Sequence, residues 1–137
     1  MKRFELREHT ADVAVAADGE RVGEAFAAVA DGLAAAMCES VPEGGDAREL
    51  EERAENPEAA LYDYLSRLIY ERDVEGVLPV DNEARVSEDG EEWAVRATYR
   101  GVPLDSVVAR DVKAVTYSEM ELVEDENGWH AYVVFDV

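Results

Sequence analysis

The sequence predicts an α+β protein in which an antiparallel or mixed sheet carries two helices on one face, as a two-layer sandwich. Three observations support this prediction. Short strand-like apolar runs occur at both ends of the chain, two internal stretches have apolar residues at helical spacing, and Asp-Gly and Asn-Gly turn signals divide the second half into alternating runs. The length of 137 residues suits one core, so we expect a single domain over residues 1–137.

The first half of the chain predicts strand, strand, helix and strand. "FELRE" and "DVAVAA" read as two short strands separated by the polar pair His9-Thr10, and Asp18-Gly19 ends the second strand. A helix over residues 20–38 follows from five apolar residues at helical spacing, namely Val22, Phe26, Val29, Leu33 and Met37. "DARELEERAE" is ambiguous between helix and strand, because its composition favours a helix but its apolar stripe is too thin to decide. We favour a charged, solvent-facing strand.

The second half predicts one helix and two hairpins. Asn56-Pro57 is a strong helix start, and the apolar stripe that follows predicts a helix over residues 57–72. Asp89-Gly90 marks the turn of one hairpin. Asn127-Gly128 marks the turn of the other and is the preferred pair for a type I′ turn. In the last strand, alternation places His130, Tyr132, Val134 and Asp136 on one face.

The charge is the most unusual bulk property of the chain. There are 33 Asp and Glu residues against 13 Lys and Arg residues, a formal net charge of −20. Such a surface repels a phosphate backbone and anionic lipid, so we expect no direct binding to nucleic acid or to a membrane. Because the acidic residues are spread over every predicted element, adaptation to a salt-rich cytoplasm explains them better than an acidic tail does.

Further sequence features favour a reduced, cytosolic protein. No apolar run approaches the length that spans a bilayer, and charges stand where the apolar core of a secretory signal would lie. Cys38 is the one cysteine of the chain, so no internal disulfide or thiolate zinc motif can form. We expect Cys38 to be buried at the end of the Ala-rich helix.

Common catalytic signatures are absent from the sequence. It contains no phosphate-binding GxxxxGK[ST] loop, no GxGxxG turn, no GxSxG elbow and no HExxH helix. With His9 and His130 as its two histidines, the chain cannot build a multi-histidine metal cage. Ser118, His130 and Asp136 supply the residue types of a hydrolase triad, but no local sequence forms a nucleophile elbow around Ser118.

Two short polar segments near the chain ends carry candidate chemistry. "HTAD" has three readings: an acid–base pair of His9 and Asp12, a metal-binding carboxylate at Asp12, or a turn in which Thr10 and Asp12 bond to nearby amides. In the closing "FDV", Asp136 and the α-carboxylate of Val137 offer several anionic oxygens, the ligands that hard cations prefer. The ordinary alternative is an exposed terminal aspartate.

The ordered combination of five segments resembles the archease family. These segments are "HTADVAVAA", the helix ending "AAAM", "LYDYLSRLIY", "VKAVTYSEMEL" and the terminal "WHAYVVFDV", and together they span essentially the whole chain. The resemblance implies a small α+β protein that is not an enzyme. It implies a protein cofactor that activates the RtcB-type RNA ligase of tRNA splicing by promoting guanylylation and multiple turnover.

The resemblance also implies a site. The family's divalent metal, described as Ca²⁺, with Mn²⁺ and Mg²⁺ as alternatives, carries over to Asp12, Asp136 and the carboxylate of Val137. Lys113 matches the lysine of the family's VKAVTY segment, and Lys113, Tyr117 and His9 are candidate contacts to the partner. One departure is Ser118, because family members commonly have His after VKAVTY.

Two other functions stay open at the level of sequence. The first is a general chaperone or adaptor for nucleic-acid-modifying enzymes, which would be indifferent to loss of the Asp12 carboxylate. The second is a stand-alone hydrolase that uses His9 and Asp12, which would turn over its substrate with no partner present.

Overall fold

The fold combines two helices with two antiparallel sheets. The computed structural model describes residues 2–8, 12–107 and 109–137. The strands are β1 (Arg3–Glu8), β2 (Asp12–Gly19), β3 (Asp46–Ala54), β4 (Val77–Asp89), β5 (Glu92–Pro103), β6 (Ala114–Asp125) and β7 (Gly128–Asp136). The helices are α1 (Val22–Met37) and α2 (Pro57–Glu75), and a 3₁₀ turn covers Leu104–Ser106. This confirms the predicted α+β class.

The strands divide into two sheets rather than one. The first has the order β1-β2-β7-β6 and the second has the order β3-β5-β4, and every recorded pairing is antiparallel. Strand order depends on long-range pairings, which the local sequence pattern does not encode. In the first sheet, the second and the last strands of the chain are therefore direct neighbours at the centre of the sheet.

The two helices connect the sheets through one apolar core. Helix α1 contacts β1, β2 and β7 of the first sheet and β4 of the second, while α2 contacts β3, β4 and β5 as well as β6. Fully buried side chains from both helices and both sheets form a continuous cluster, among them Val15, Phe26, Tyr64, Val95 and Phe135. Phe26 of α1 stacks on Tyr64 of α2, with ring centroids 6.1 Å apart.

Local sequence signals explain where each helix begins and ends. Glu24 accepts hydrogen bonds from the backbone N–H groups of Glu20 and Arg21 at the start of α1. Asn56 caps α2 by accepting from Ala59 N–H at 2.8 Å. Helix α2 ends at Glu75, three residues past its predicted end. Gly76, with φ of 67°, terminates it in a left-handed conformation.

Both hairpin turns lie within one residue of their predicted positions, but one differs in type. The β4–β5 connection is Gly90–Glu91, with Gly90 at φ of 69°. Asp125 pairs with Gly128, so the β6–β7 connection is Glu126–Asn127, and neither residue has a positive φ. A type I′ turn needs positive φ at both central residues, so that prediction was wrong. Gly128 takes the positive φ, at 121°, and begins β7.

"DARELEERAE" forms the predicted charged strand. It is the edge strand β3, in which Leu50 and Ala54 are buried while most of the other side chains are exposed. Arg53 pairs with Asp89 at 2.9 Å across the sheet. A charged edge strand is a common way to discourage pairing with a second chain.

Gly23 lies where α1 packs closely against β4, so a substitution at this position tests that packing. A Cβ at this position would lie 2.3 Å from the carbonyl oxygen of Ala84, which is backbone and cannot rotate away. We expect Gly23→Ala to lower the free energy of unfolding by about 1–3 kcal/mol, although alanine is the better helix former. Urea unfolding followed by circular dichroism measures the change. An unchanged or more stable variant would contradict this packing.

Candidate functional site

Asp12 and Asp136 face each other across the centre of the first sheet. Asp12 is the first residue of β2, Asp136 is the last residue of β7, and the antiparallel register pairs them directly. Directly opposite residues of an antiparallel pair share one face of the sheet, with Cβ atoms about 4.5–5.5 Å apart. The register thus brings together two carboxylates that are separated by almost the whole sequence.

The pair lies on the sheet face that points away from α1. Val13 and Val15, which alternate with Asp12, are buried, and Gly32 of α1 approaches Val15 closely. Asp12 is half-buried, while Asp136 is exposed. Val137 is half-buried and packs against the core, which holds the last residue beside the pair.

The donors that the described side chains offer at this position are carboxylate oxygens. Two carboxylates, with a main-chain carboxylate where the chain ends at Val137, form the kind of ligand set that Ca²⁺, Mg²⁺ or Mn²⁺ takes and that a soft metal avoids. Among the described residues, no group of three or more His, Cys, Asp or Glu side chains is arranged to hold a metal ion. In the described part of the chain, the side chains at this position therefore offer two carboxylates.

The segment that precedes β6 is held beside Asp136 by backbone hydrogen bonds and by a buried side chain. Lys113 donates its backbone N–H to the carbonyl oxygen of Asp136 at 2.8 Å, and Val112 is fully buried. Further back, Arg110 donates its backbone N–H to the carbonyl oxygen of Met37, at the end of α1, at 2.6 Å. These attachments place the exposed Lys113 next to the Asp12–Asp136 pair.

Arg72, which sequence analysis did not single out, anchors the same segment from α2. Its side chain is 7% exposed, and its guanidinium lies 3.3 Å from the Asp111 carboxylate. The same guanidinium donates to Asp73 at 2.8 Å and 2.9 Å and to the sulfur of Met37 at 3.2 Å. A buried arginine needs such partners. The end of α2, the end of α1 and the segment before β6 therefore meet at one side chain.

The structure separates two of the candidate partner contacts. Lys113 lies just before β6, whereas Tyr117 lies within it and stacks on Tyr62 of α2. The β6–β7 register is irregular between Thr116 and Glu121, so the two-residue periodicity of the sequence is lost there. His9, the third candidate, lies outside the described residues.

His130 belongs to a polar cluster at the other end of the same sheet face. Its Nδ1 is 2.7 Å from Asp18, its cross-strand partner, and its Nε2 is 3.0 Å from Asp125. Arg3 of β1 also donates to Asp18, at 2.6 Å and 3.1 Å. Asp136 lies six residues beyond His130 on the same strand. His130 is therefore bonded to other carboxylates, and no triad of Ser118, His130 and Asp136 is built around it.

The cluster shifts the pKa values of its members in opposite directions. Hydrogen bonds to Asp18 and Asp125 raise the pKa of His130 above its ordinary value. The hydrogen bond to His130 lowers the pKa of Asp18, and Arg3 lowers it further. The pKa of Asp125 is also lowered, first by His130 and then by the backbone N–H of Asn127. Each partner stabilises the charged form of the other.

Two cavities in the described part of the chain are lined by residues other than Asp12 and Asp136. A cavity of about 1450 Å³ lies between the start of α1 and the second sheet, and its lining includes Lys2, Arg21 and Glu51 but neither Asp12 nor Asp136. A smaller cavity of about 720 Å³ is lined by Val13, Cys38 and other residues at the end of α1. Cys38 is buried, as predicted, and caps the helix.

This arrangement defines a class: a small α+β protein with two antiparallel sheets and a pair of carboxylates facing each other across the central strands of one of them. The model of the archease protein family (MTH1598/TM1083) matches residues 4–137. The chain belongs to the archease family. No described helix is both long and apolar enough to cross a membrane.

Relatives of known sequence and structure agree with this assignment. The chain is 35% identical to the archease of Thermococcus gammatolerans and 33% identical to that of Pyrococcus abyssi, in both cases over the full length of both chains. The solution structure of protein 1598 of Methanobacterium thermoautotrophicum superimposes with a TM-score of 0.86 at 28% identity, covering all of both chains. The crystal structure of a Thermotoga maritima archease, described as a "possible chaperone", shares the fold, with a TM-score of 0.64 at 24% identity and coverage of 97% and 96%.

The His130 cluster predicts a pH-dependent contribution to stability. Because its pKa is raised in the folded protein, His130 stabilises fully below its ordinary value of 6.5, and this stabilisation is lost as the pH rises through the folded-state pKa. Because the pKa values of Asp18 and Asp125 are lowered, their contribution is present above 3.8 and is lost as the pH falls from there through their folded-state pKa values. We therefore expect His130→Gln to destabilise most at about pH 5–6 and least at alkaline pH.

Urea unfolding of the wild type and His130→Gln across this pH range, at low salt, measures the difference. A difference that does not change with pH would contradict the ion-paired state of His130. Tyr132→Phe, on the same face of β7, is the control and is expected to show no such trend.

Proposed function

We propose that this chain is a metal-binding protein cofactor that activates the RtcB-type RNA ligase of tRNA splicing, promoting guanylylation and multiple turnover of the ligase. The observation that carries the proposal is the direct pairing of Asp12 with Asp136 in a chain of the archease family. The site offers acidic oxygens on an open surface, which suits a protein that acts on a partner.

The proposed metal ligands are Asp12, Asp136 and the carboxylate of Val137. Their oxygen donors favour Ca²⁺, with Mn²⁺ and Mg²⁺ as alternatives. A bound divalent ion supplies concentrated positive charge on a protein whose net charge is −20. Two features hold the last two residues in place for such an ion. Val137 is half-buried, and Lys113 N–H donates a hydrogen bond to the Asp136 carbonyl oxygen.

The charge distribution favours a protein partner over RNA. A net charge of −20 opposes contact with a phosphate backbone, so the chain would act on the ligase and leave the tRNA halves to the ligase. The exposed Lys113, beside the carboxylate pair, is the proposed contact to the ligase or its nucleotide. Tyr117 and His9 are further proposed contacts. In a salt-rich cell, ions would screen long-range attraction between the two proteins, so close contacts would have to supply the specificity for the ligase.

Ser118 marks a difference in this site from the family's common pattern. It is exposed and lies in the irregular part of β6, beyond Thr116. Asp12 and Asp136 do not depend on this position, because their pairing is set by β2 and β7. The serine in place of the common histidine therefore leaves the Asp12–Asp136 pair unaffected, whereas any contribution of that imidazole to the metal or the partner is lost.

The proposal predicts that loss of either carboxylate abolishes activation. We expect Asp12→Asn and Asp136→Asn each to reduce stimulation of ligase guanylylation about tenfold or more, because each removes one metal ligand. The measurement is transfer of labelled GMP from GTP to the purified ligase at high salt, with and without the protein. Asp46→Asn, an exposed aspartate at the start of β3, is the matched control and should stimulate as well as the wild type.

The same assay distinguishes the alternatives. Equal stimulation by the wild type and both variants would contradict the metal role and leave a metal-independent chaperone or adaptor. No stimulation by the wild type would contradict the ligase as partner. A chain extended beyond Val137 loses the terminal carboxylate to an amide, and full stimulation by that chain would remove Val137 from the proposed site.

A further inference from the structure

A pair of stacked tyrosines forms a distinct surface feature between α2 and β6. The rings of Tyr62 and Tyr117 lie parallel within 3°, with centroids 4.2 Å apart. Tyr62 is half-buried and packs against the core, whereas Tyr117 is 55% exposed. Since Tyr62 covers one face of the Tyr117 ring, the exposed area of Tyr117 lies on its other face and its edge. A flat aromatic surface therefore faces solvent on a rigid support.

The backbone beside this pair departs from regular strand geometry. The register of β6 against β7 slips between Thr116 and Glu121, and Glu119 has a φ of 61°, which is uncommon for a residue other than glycine. Bulges of this kind re-aim side chains at the edge of a sheet. Here the irregular stretch contains Tyr117 and turns its ring onto α2.

Three carboxylates lie close enough to the exposed ring to act on it electrostatically. Burial against its neighbours raises the pKa of Tyr117, and the carboxylates of Asp63, Glu55 and Glu58 raise it further. These three acidic residues lie at or near the start of α2, and Glu58 is one helical turn before Tyr62. The surface thus combines an open aromatic face with several anionic oxygens, and it complements a planar cation.

We propose that Tyr62, Tyr117, Glu55, Glu58 and Asp63 form a docking surface for an arginine side chain on the protein partner. A guanidinium is planar, stacks on an aromatic face and forms directed hydrogen bonds to carboxylates, so it satisfies both components at once. The proposal rests on the proposed function, because the partner is the ligase. It places a second contact area on β6 and α2, in addition to the carboxylate pair at the end of β7.

Titration of the purified ligase with the wild type and variants, by calorimetry, tests the surface. We expect Tyr117→Leu to weaken binding roughly tenfold, as loss of an aromatic contact at an interface does, and Tyr117→Phe to bind like the wild type because it keeps the ring. Tyr70→Leu is the matched control, since Tyr70 is 54% exposed on the same helix. It should leave affinity unchanged.

A second variant tests the acidic part of the surface. Glu58→Gln with Asp63→Asn should weaken binding and reduce its dependence on salt, whereas Glu126→Gln at the β6–β7 turn should do neither. Unchanged affinity of both Tyr117→Leu and the acidic double variant, with wild-type binding intact, would overturn the docking surface alone. Absence of binding by the wild type would overturn the ligase as partner and this surface with it.

Discussion

The pairing of β2 with β7 is the interaction on which the rest of the structure depends. These two strands form the centre of the first sheet and bring the start and the end of the chain side by side. Their inner faces supply Val13, Val15, Val133 and Phe135 to the core, so the pairing is held by apolar burial as well as by hydrogen bonds. A shift of one residue would turn these side chains to the opposite face of the sheet and remove them from the core, which fixes the register strongly.

The outer face of the same pairing carries the polar chemistry. Asp12 lies opposite Asp136 at one end, and Asp18 lies opposite His130 at the other. The two ends differ in their partners. At one end, the side chains of His130 and Arg3 bond to Asp18. At the other end, no cationic side chain among the described residues pairs with Asp12 or Asp136. The first pair is thus suited to an external cation, and the second to holding strands together.

Local sequence signals predicted the elements of this fold well but could not predict their arrangement. The spacing from Val22 to Met37 and the Asn56-Pro57 cap located both helices. The division into two sheets, the bulge after Thr116 and the turn at Glu126–Asn127 depend on long-range pairing and backbone angles that composition does not reveal. For the same reason, the type of the second hairpin turn was predicted wrongly.

In the candidate site, too, local sequence identified individual residues but not the contacts between them. From the residues alone, Asp12 and Asp136 could form one site only if the first and last strands lay near each other, and the family resemblance nominated them together. The role of Arg72 in anchoring the Asp111 segment, the partners of His130 and the stack of Tyr62 on Tyr117 join elements far apart in the chain. No spacing rule reports such contacts, although a known β2–β7 register would have placed His130 opposite Asp18.

The proposed binding of one cation by both Asp12 and Asp136 is tested most directly by a double-mutant cycle. Ca²⁺ affinity would be measured by calorimetry for the wild type, Asp12→Asn, Asp136→Asn and the double variant, with Mn²⁺ and Mg²⁺ in parallel. Shared ligation predicts that either single substitution removes most of the affinity and that the second adds little. Small losses that simply add, or affinities equal to that of the wild type, would contradict a common site.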